Sequence, residues 1–184
     1  MAKFLHFGYG SNMLLKKLQN DGCEDKHRRC PTAEKKSNCK IKKHRLRFWK
    51  KSRDGSGKCY IEYTGNDEDV VYGVLFSIDE IDHGYLSREE GATSQNSGYK
   101  EEKVSVITDD GEIDAFTYTI NGEDKIDKTR KPYRWYKNQV VQGALENDLP
   151  KDYIKTIEDV ESEIDKNGKR RAMNEKYLPN SMFQ

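Results

Sequence analysis

Long hydrophobic runs are missing from this 184-residue chain. No apolar stretch approaches the roughly 18–20 residues that cross a bilayer, and the N-terminus enters a strand-like run without a signal-peptide layout, so a cytoplasmic protein is expected. Hydrophobic residues make up only 34% of the chain against 35% charged, which leaves room for one modest core and a heavily solvated surface. Net charge is nearly absent as well, at +1, and a neutral total argues neither for nor against a polyanionic partner. Four cysteines are too few for a disulfide framework at this length. Cys23, His27, Cys30, Cys39 and His44 lie near one another in sequence, but none of their gaps matches the tight Cys-x₂₋₄-Cys pair that zinc sites use, so no metal is expected.

What is present first gathers at Phe7-Gly8-Tyr9-Gly10-Ser11-Asn12-Met13. An alternating apolar run (Phe4, Leu5, Phe7, Tyr9) breaks at Gly10-Ser11, and a helical pattern follows from Met13 to Leu18. Glycine permits a tight turn or a close backbone approach, and Ser11 or Asn12 is a natural N-cap. A strand turning directly onto a helix start aims several backbone N–H groups at one spot, which attracts a carboxylate or phosphate; an ordinary capped turn has the same pattern. Neither the Walker nor the dinucleotide glycine pattern is matched, so no nucleotide cofactor is indicated.

Residues 20–38 are polar and broken by Gly22 and Pro31, and read as a loop. Strands are expected over 41–49, 58–64, 70–78, 99–108 and 112–120, with a short helix over 79–90 ending at Gly91. Amphipathic helices are expected over 132–146 and 150–164, and residues 165–184 read as a flexible tail. Strands followed by helices describe an α+β domain over 1–164, built on a small curved mixed or antiparallel barrel-like sheet. Residues 35–53 hold ten Lys/Arg and no acid, with Phe48 and Trp49 among them. Such a stretch suits either an edge strand, where lysine discourages unwanted pairing, or a surface for RNA or an acidic partner; the neutral total favours the edge strand.

In order along the chain, several of these segments resemble the gamma-glutamylcyclotransferase family, which includes butirosin-pathway and plant avirulence-induced relatives. Tyr9-Gly10-Ser11-Asn12 matches its N-terminal motif, and Val70-Val71-Tyr72-Gly73-Val74-Leu75-Phe76 is similar to its central strand. Leu86-Ser87-Arg88-Glu89-Glu90-Gly91 resembles its Leu-Asp-x-x-Glu-Gly signature, Tyr99 opens a strand as the family tyrosine does, and Tyr136 through Pro150 resembles its closing Tyr, Gly-Ala and Gly-Leu-Pro run. The likeness covers roughly residues 4–160. It implies release of 5-oxoproline from a gamma-glutamyl amide without metal or cofactor. Glu90 would be the catalytic acid/base, Tyr9, Gly10, Ser11 and Asn12 would hold the glutamyl group, and Tyr118 and Tyr136 would line the pocket. The implied partners are a small gamma-glutamyl compound and, as a homodimer, a second copy of the chain. Ser87 stands where the signature has aspartate, and Lys58-Cys59 where small residues are common, so the identity of the leaving amine is left open. The alternative is a non-enzymatic module of the same fold, binding RNA or an acidic partner through residues 35–53.

Overall fold

A computed structural model describes residues 2–19, 30–92 and 96–183. Five strands close into a mixed barrel in the order β1, β5, β2, β6, β7: β1 (Lys3–Gly8), β2 (Glu34–Lys42), β5 (Val70–Asp79), β6 (Tyr99–Thr108) and β7 (Gly111–Ile120). Neighbours pair antiparallel, and the barrel shuts through one parallel contact of β1 with β7 at His6 and Phe116. Two further strands, β3 (His44–Lys51) and β4 (Gly57–Tyr63), form a separate hairpin. The helices are α1 (Leu15–Gln19), α2 (Glu80–Glu89), α3 (Arg134–Glu146), α4 (Lys151–Glu158) and α5 (Gly168–Glu175). None is long and apolar enough to cross a membrane.

The most apolar segment is central, as its composition requires. β5 sits between β1 and β2 and buries all but two of its ten residues. Gly73 marks where β1 crosses it closely, since a Cβ there would lie 2.4 Å from the Gly8 carbonyl oxygen and 2.6 Å from the Phe7 ring. Phe7, Val71, Val74, Ile78 and Val106 are fully buried here, and Val140 and Ala144 bring α3 onto the same core.

Four segments differ from the sequence reading. The strand expected over 41–49 is two strands, because Lys43 adopts a left-handed conformation (φ 61°) and its carbonyl accepts the Thr64 N–H at 2.7 Å. The first of them, β2, reaches back to Glu34 inside the expected loop: its polar side chains face solvent while its backbone pairs with β5 across a bulge between Lys35 and Ser37. The helix expected to run to 164 stops at Glu158.

Residues 165–183, where a tail was expected, carry α5 packed near α3. Asp165 is buried, accepts the Trp135 indole N–H at 3.0 Å and takes Arg170 in a two-point bridge at 2.6 and 2.7 Å. Asn167 caps the helix by accepting the Arg170 backbone N–H.

Candidate active site

β1 delivers the chain to the top of the barrel, and Tyr9-Gly10 bends it into a single 3-10 turn, Ser11–Met13. α3 clamps that turn from outside. Gly143 leaves no room for a side chain, as its Cβ would come 2.7 Å from that of Met13, and Asn147 donates its amide to the Met13 carbonyl at 3.1 Å. The turn differs from the expected helix start in a way that matters chemically. Neither Ser11 nor Asn12 caps a helix: α1 begins only at Leu15, and the N–H groups of Met13 and Leu14 are spent on the carbonyls of Gly10 and Ser11. The Ser11 hydroxyl instead accepts the Lys17 ammonium at 2.7 Å, which also reaches the Gln139 amide oxygen. Positive potential at this turn therefore comes from a part-buried lysine side chain, not from a helix end.

Beside the turn lies a narrow recess, open to solvent at its mouth, with about 40 Å³ of free space inside it. Tyr9, Gly10, Ser11, Asn12, Glu90, Tyr118 and Tyr136, all singled out in the sequence, line it together with His6, Cys59, Tyr99 and Thr117. Glu90 follows α2 as its C-terminal cap, half-buried, with Oε1 accepting the Asn12 amide N–H at 2.8 Å. Residues 78 apart in sequence thus meet across one recess. Glu89, its neighbour, is exposed and does not line it.

Tyrosine hydroxyls fix the walls. Tyr136 accepts the Cys59 N–H at 3.1 Å, Tyr99 donates to the Cys59 carbonyl at 2.6 Å, and Tyr9 donates to the Tyr118 carbonyl at 2.5 Å. β4 is thereby held to the barrel at Cys59 by side chains instead of a strand partner. Burial raises the pKa of all three phenols well above the ordinary value, so they stay neutral and serve as dipoles. Burial also pushes the Cys59 thiol up to about 12, which leaves almost no thiolate near neutral pH. Tyr118 turns its hydroxyl outward to Ser87 (2.9 Å) and Glu101 (3.0 Å), and Glu101 in turn meets His83 at 2.5 Å. Ser87 and Glu101 are thereby linked through the Tyr118 hydroxyl.

Sequence reasoning missed Lys17, Glu101 and Gln139, which reach the site through other side chains and carry no local pattern. Tyr99 was noted only as a strand start. Of the cysteine and histidine group, Cys23 and His27 lie outside the described residues. Cys30 and Cys39 are buried, and His44 contacts the Lys42 carbonyl. Among the described residues no three His, Cys, Asp or Glu side chains are grouped to hold a metal ion.

The basic stretch is dispersed between β2 in the barrel and β3 in the hairpin, and much of it is neutralised locally. Lys43 pairs with Asp67, Arg45 with Asp69 at 2.7 Å, and Arg47 with Glu62 at 2.7 Å while lying on the Trp49 ring.

The sequence pattern of the AIG2-like family matches residues 70–157. The chain is 29% identical over 166 residues to the gamma-glutamylcyclotransferase of Bos taurus, covering 86% of this chain and 79% of that protein. Identity to the Homo sapiens gamma-glutamylcyclotransferase is 28% over the same shares. Among solved structures, a gamma-glutamyl cyclotransferase superposes with a TM-score of 0.76 at 24% identity, covering 95% of this chain and 99% of that one. A yeast gamma-glutamyl cyclotransferase specific to glutathione superposes with a TM-score of 0.59 at 14% identity, covering 85% and 94%. These structural likenesses establish the closed mixed barrel with flanking helices as the fold. With the ordered motifs now on one recess, the chain shows distant homology to the AIG2-like / gamma-glutamylcyclotransferase family.

Proposed function

We propose that this protein is a gamma-glutamyl cyclotransferase, releasing 5-oxoproline and a free amine from a gamma-glutamyl amide. The observation that carries this reading is the Glu90 carboxylate bonded to Asn12 at 2.8 Å, in the same recess as the Tyr9–Ser11 turn. The substrate's alpha-carboxylate would lie on that turn within the field of Lys17. Its alpha-amine would then face its own side-chain carbonyl.

In the reaction, Glu90 takes a proton from the alpha-ammonium, and the freed amine attacks the gamma-carbonyl to close a five-membered ring. The C–N bond to the leaving amine then breaks as Glu90 returns that proton to it, and the ring nitrogen sheds its second proton to solvent. No enzyme nucleophile takes part, which agrees with a Cys59 thiol held protonated. Holding amine against carbonyl is itself worth several kcal/mol, on the order of 7–11 in favourable cases. The backbone N–H groups of Gly10 and Ser11, on the near side of the turn, would be the donors to a developing oxyanion, since those of Met13 and Leu14 and the Tyr9 and Tyr99 hydroxyls are already committed.

The partner on this reading is a small gamma-glutamyl compound, handled without metal or cofactor in the cytoplasm. The test is 5-oxoproline release from a panel of gamma-glutamyl compounds by the wild-type protein. Turnover is expected to survive both EDTA and thiol alkylation. Activity lost with EDTA and restored by zinc, or lost on alkylation of a thiol in the native protein, would overturn the mechanism.

A further inference from the structure

Immediately outside the recess, sharing Glu90 with it, runs a second groove lined by Lys50, Lys51, Arg53, Arg88 and Lys125, with Glu89 and Glu90 as its acids. Lys125 is paired with Asp124. Lys50, Lys51, Arg53 and Arg88 have no carboxylate in ion-pair range among the described residues, unlike Lys43, Arg45 and Arg47 a few residues earlier. Four cations without an ion-pair partner, set against the two acids Glu89 and Glu90, leave the groove net positive and favour an anion between them.

Lys50 is the most deliberately placed of them. It is half-buried, with its ammonium 4.1 Å from the centre of the Tyr99 ring, on the wall between groove and recess. Its present position depends on glycine at 98: a Cβ there would lie 2.7 Å from Lys50 Nζ and 2.8 Å from its Cε, so a larger residue would push the ammonium aside. Burial lowers the Lys50 pKa, and Glu90 is the first charge that opposes this. An anionic ligand would remove that penalty.

We propose that this groove receives the leaving part of the substrate and selects an acidic one, so that the preferred compound is a gamma-glutamyl amide of an acidic amino acid. The inference rests on the cyclotransferase reading above. An amino acid leaving group carries one carboxylate; a groove with four unpaired cations, Lys50 nearest the reacting bond, offers places for two. The released amine would be an acidic amino acid, available to reactions that consume free glutamate or aspartate.

Gamma-glutamyl-glutamate and gamma-glutamyl-glutamine are the same size and differ by one charge, so their comparison isolates the effect. The wild-type protein should favour the glutamate compound about tenfold in kcat/KM, chiefly through KM, the range of one charge-assisted hydrogen bond. The preference should shrink to about twofold at an ionic strength near 1 M, where the screening length falls to roughly 3 Å. Lys50→Gln should erase it and Lys50→Glu should reverse it. Gly98→Ala, which removes no charge but displaces the ammonium, should weaken it; a preference untouched by these three variants overturns the inference. Equal kcat/KM for the two compounds in the wild type also overturns it and leaves the cyclotransferase reading standing. If neither compound yields 5-oxoproline, the reaction reading falls, and calorimetry with the same pair decides the groove. Tighter binding of the glutamate compound, lost in Lys50→Gln, upholds the groove, while equal binding or none overturns it.

Discussion

The floor of the recess and its mouth are built on opposite principles. At the floor, Tyr9, Tyr99 and Tyr136 are tied hydroxyl to backbone across three elements, and α3 clamps the turn through Gly143 and Asn147. At the mouth, Lys51, Arg53 and Arg88 are exposed, on the end of β3, the turn after it and α2, with charges left unmatched. A buried polar lattice holds geometry because each unmade bond there is costly. An exposed cation cluster holds little geometry but sorts ligands by charge. The part of a substrate that reacts needs the first, and the part that varies needs the second. Glu90 stands on the border and, on the proposed reaction, works with the floor.

The largest expected effect tests that assignment. Glu90→Gln preserves size and one acceptor oxygen but cannot take a proton from an ammonium at neutral pH, so turnover should fall by at least roughly 10²-fold. Substrate affinity measured by calorimetry should stay within about threefold, a margin of roughly 0.7 kcal/mol. Glu89→Gln, one residue away and exposed outside the recess, should cost less than about twofold, in line with surface substitutions. Retention of more than about a tenth of wild-type turnover by Glu90→Gln would be too much for the loss of a proton-transfer group, and would remove Glu90 from the mechanism.

Next in size is Tyr136→Phe. It deletes the hydroxyl that accepts the Cys59 N–H at 3.1 Å and leaves a buried donor without that partner. A loss of about 1–3 kcal/mol in unfolding free energy is expected from such an orphaned group. Turnover should drop by roughly tenfold as β4 loosens from the recess, with the loss mainly in kcat. Unchanged stability would mean that β4 is held by something other than the tyrosine lattice.

This floor was largely legible in the sequence, and the mouth was not. Tyr9 to Asn12, Glu90, Tyr118 and Tyr136 fall in motifs whose order along the chain carries information, and the continuous apolar run of 70–78 and the Asp109-Asp110-Gly111 turn before 112–120 mark strands. The local physics of the turn was misjudged nonetheless: a strong helix pattern after Ser11 became a 3-10 turn because α3 packs on Met13 through Gly143. Lys17, Glu101 and Gln139 act only through partners distant in sequence, which no local pattern reports. β2 hid for a related reason, since Glu34 to Asn38 look like loop side chains while their backbone closes the barrel against β5. The basic stretch was visible as one run, but only the fold divides it at Lys43 and separates cations that are paired from those that are not.

A smaller effect concerns neither wall but the segment that braces them. Asp165 is held at about 2 by its two-point bond from Arg170, with help from the Trp135 and Asn167 N–H groups, against the opposing effect of burial. An acid depressed below its unfolded value of about 3.9 contributes stability that is whole above that pH and fades as pH falls toward 2. Acid titration of thermal stability should show this loss between about pH 4 and 2, and Asp165→Asn should flatten that part of the profile. Turnover at neutral pH should change by less than about threefold in the variant, because Asp165 does not line the recess. A wild-type profile identical to that of Asp165→Asn would mean the bridge does not stabilise the fold.

The smallest effect is expected where the sequence shows most charge. Lys42, Lys43 and Arg45 belong to the basic stretch but lie at the turn between β2 and β3, on a groove with Tyr63, Asp67 and Glu102 or beside Asp69, away from Glu90. Their charges are exposed or half-exposed and partly matched by Asp67 and Asp69, and exposed pairs of this kind contribute about 0–1 kcal/mol each. Replacing all three by alanine should therefore change stability by no more than about 2 kcal/mol and leave kcat/KM within about twofold. It should also leave nucleic-acid binding weak, because matched cations release few counterions from a phosphate backbone. Filter binding at low and moderate salt reads this directly. Tight binding by the wild type with a steep salt slope, abolished in the triple variant, would show that this end of the stretch recognises polyanions. The division between a working mouth at Lys50 to Arg53 and a neutralised outer turn at Lys42 to Arg45 would then be wrong.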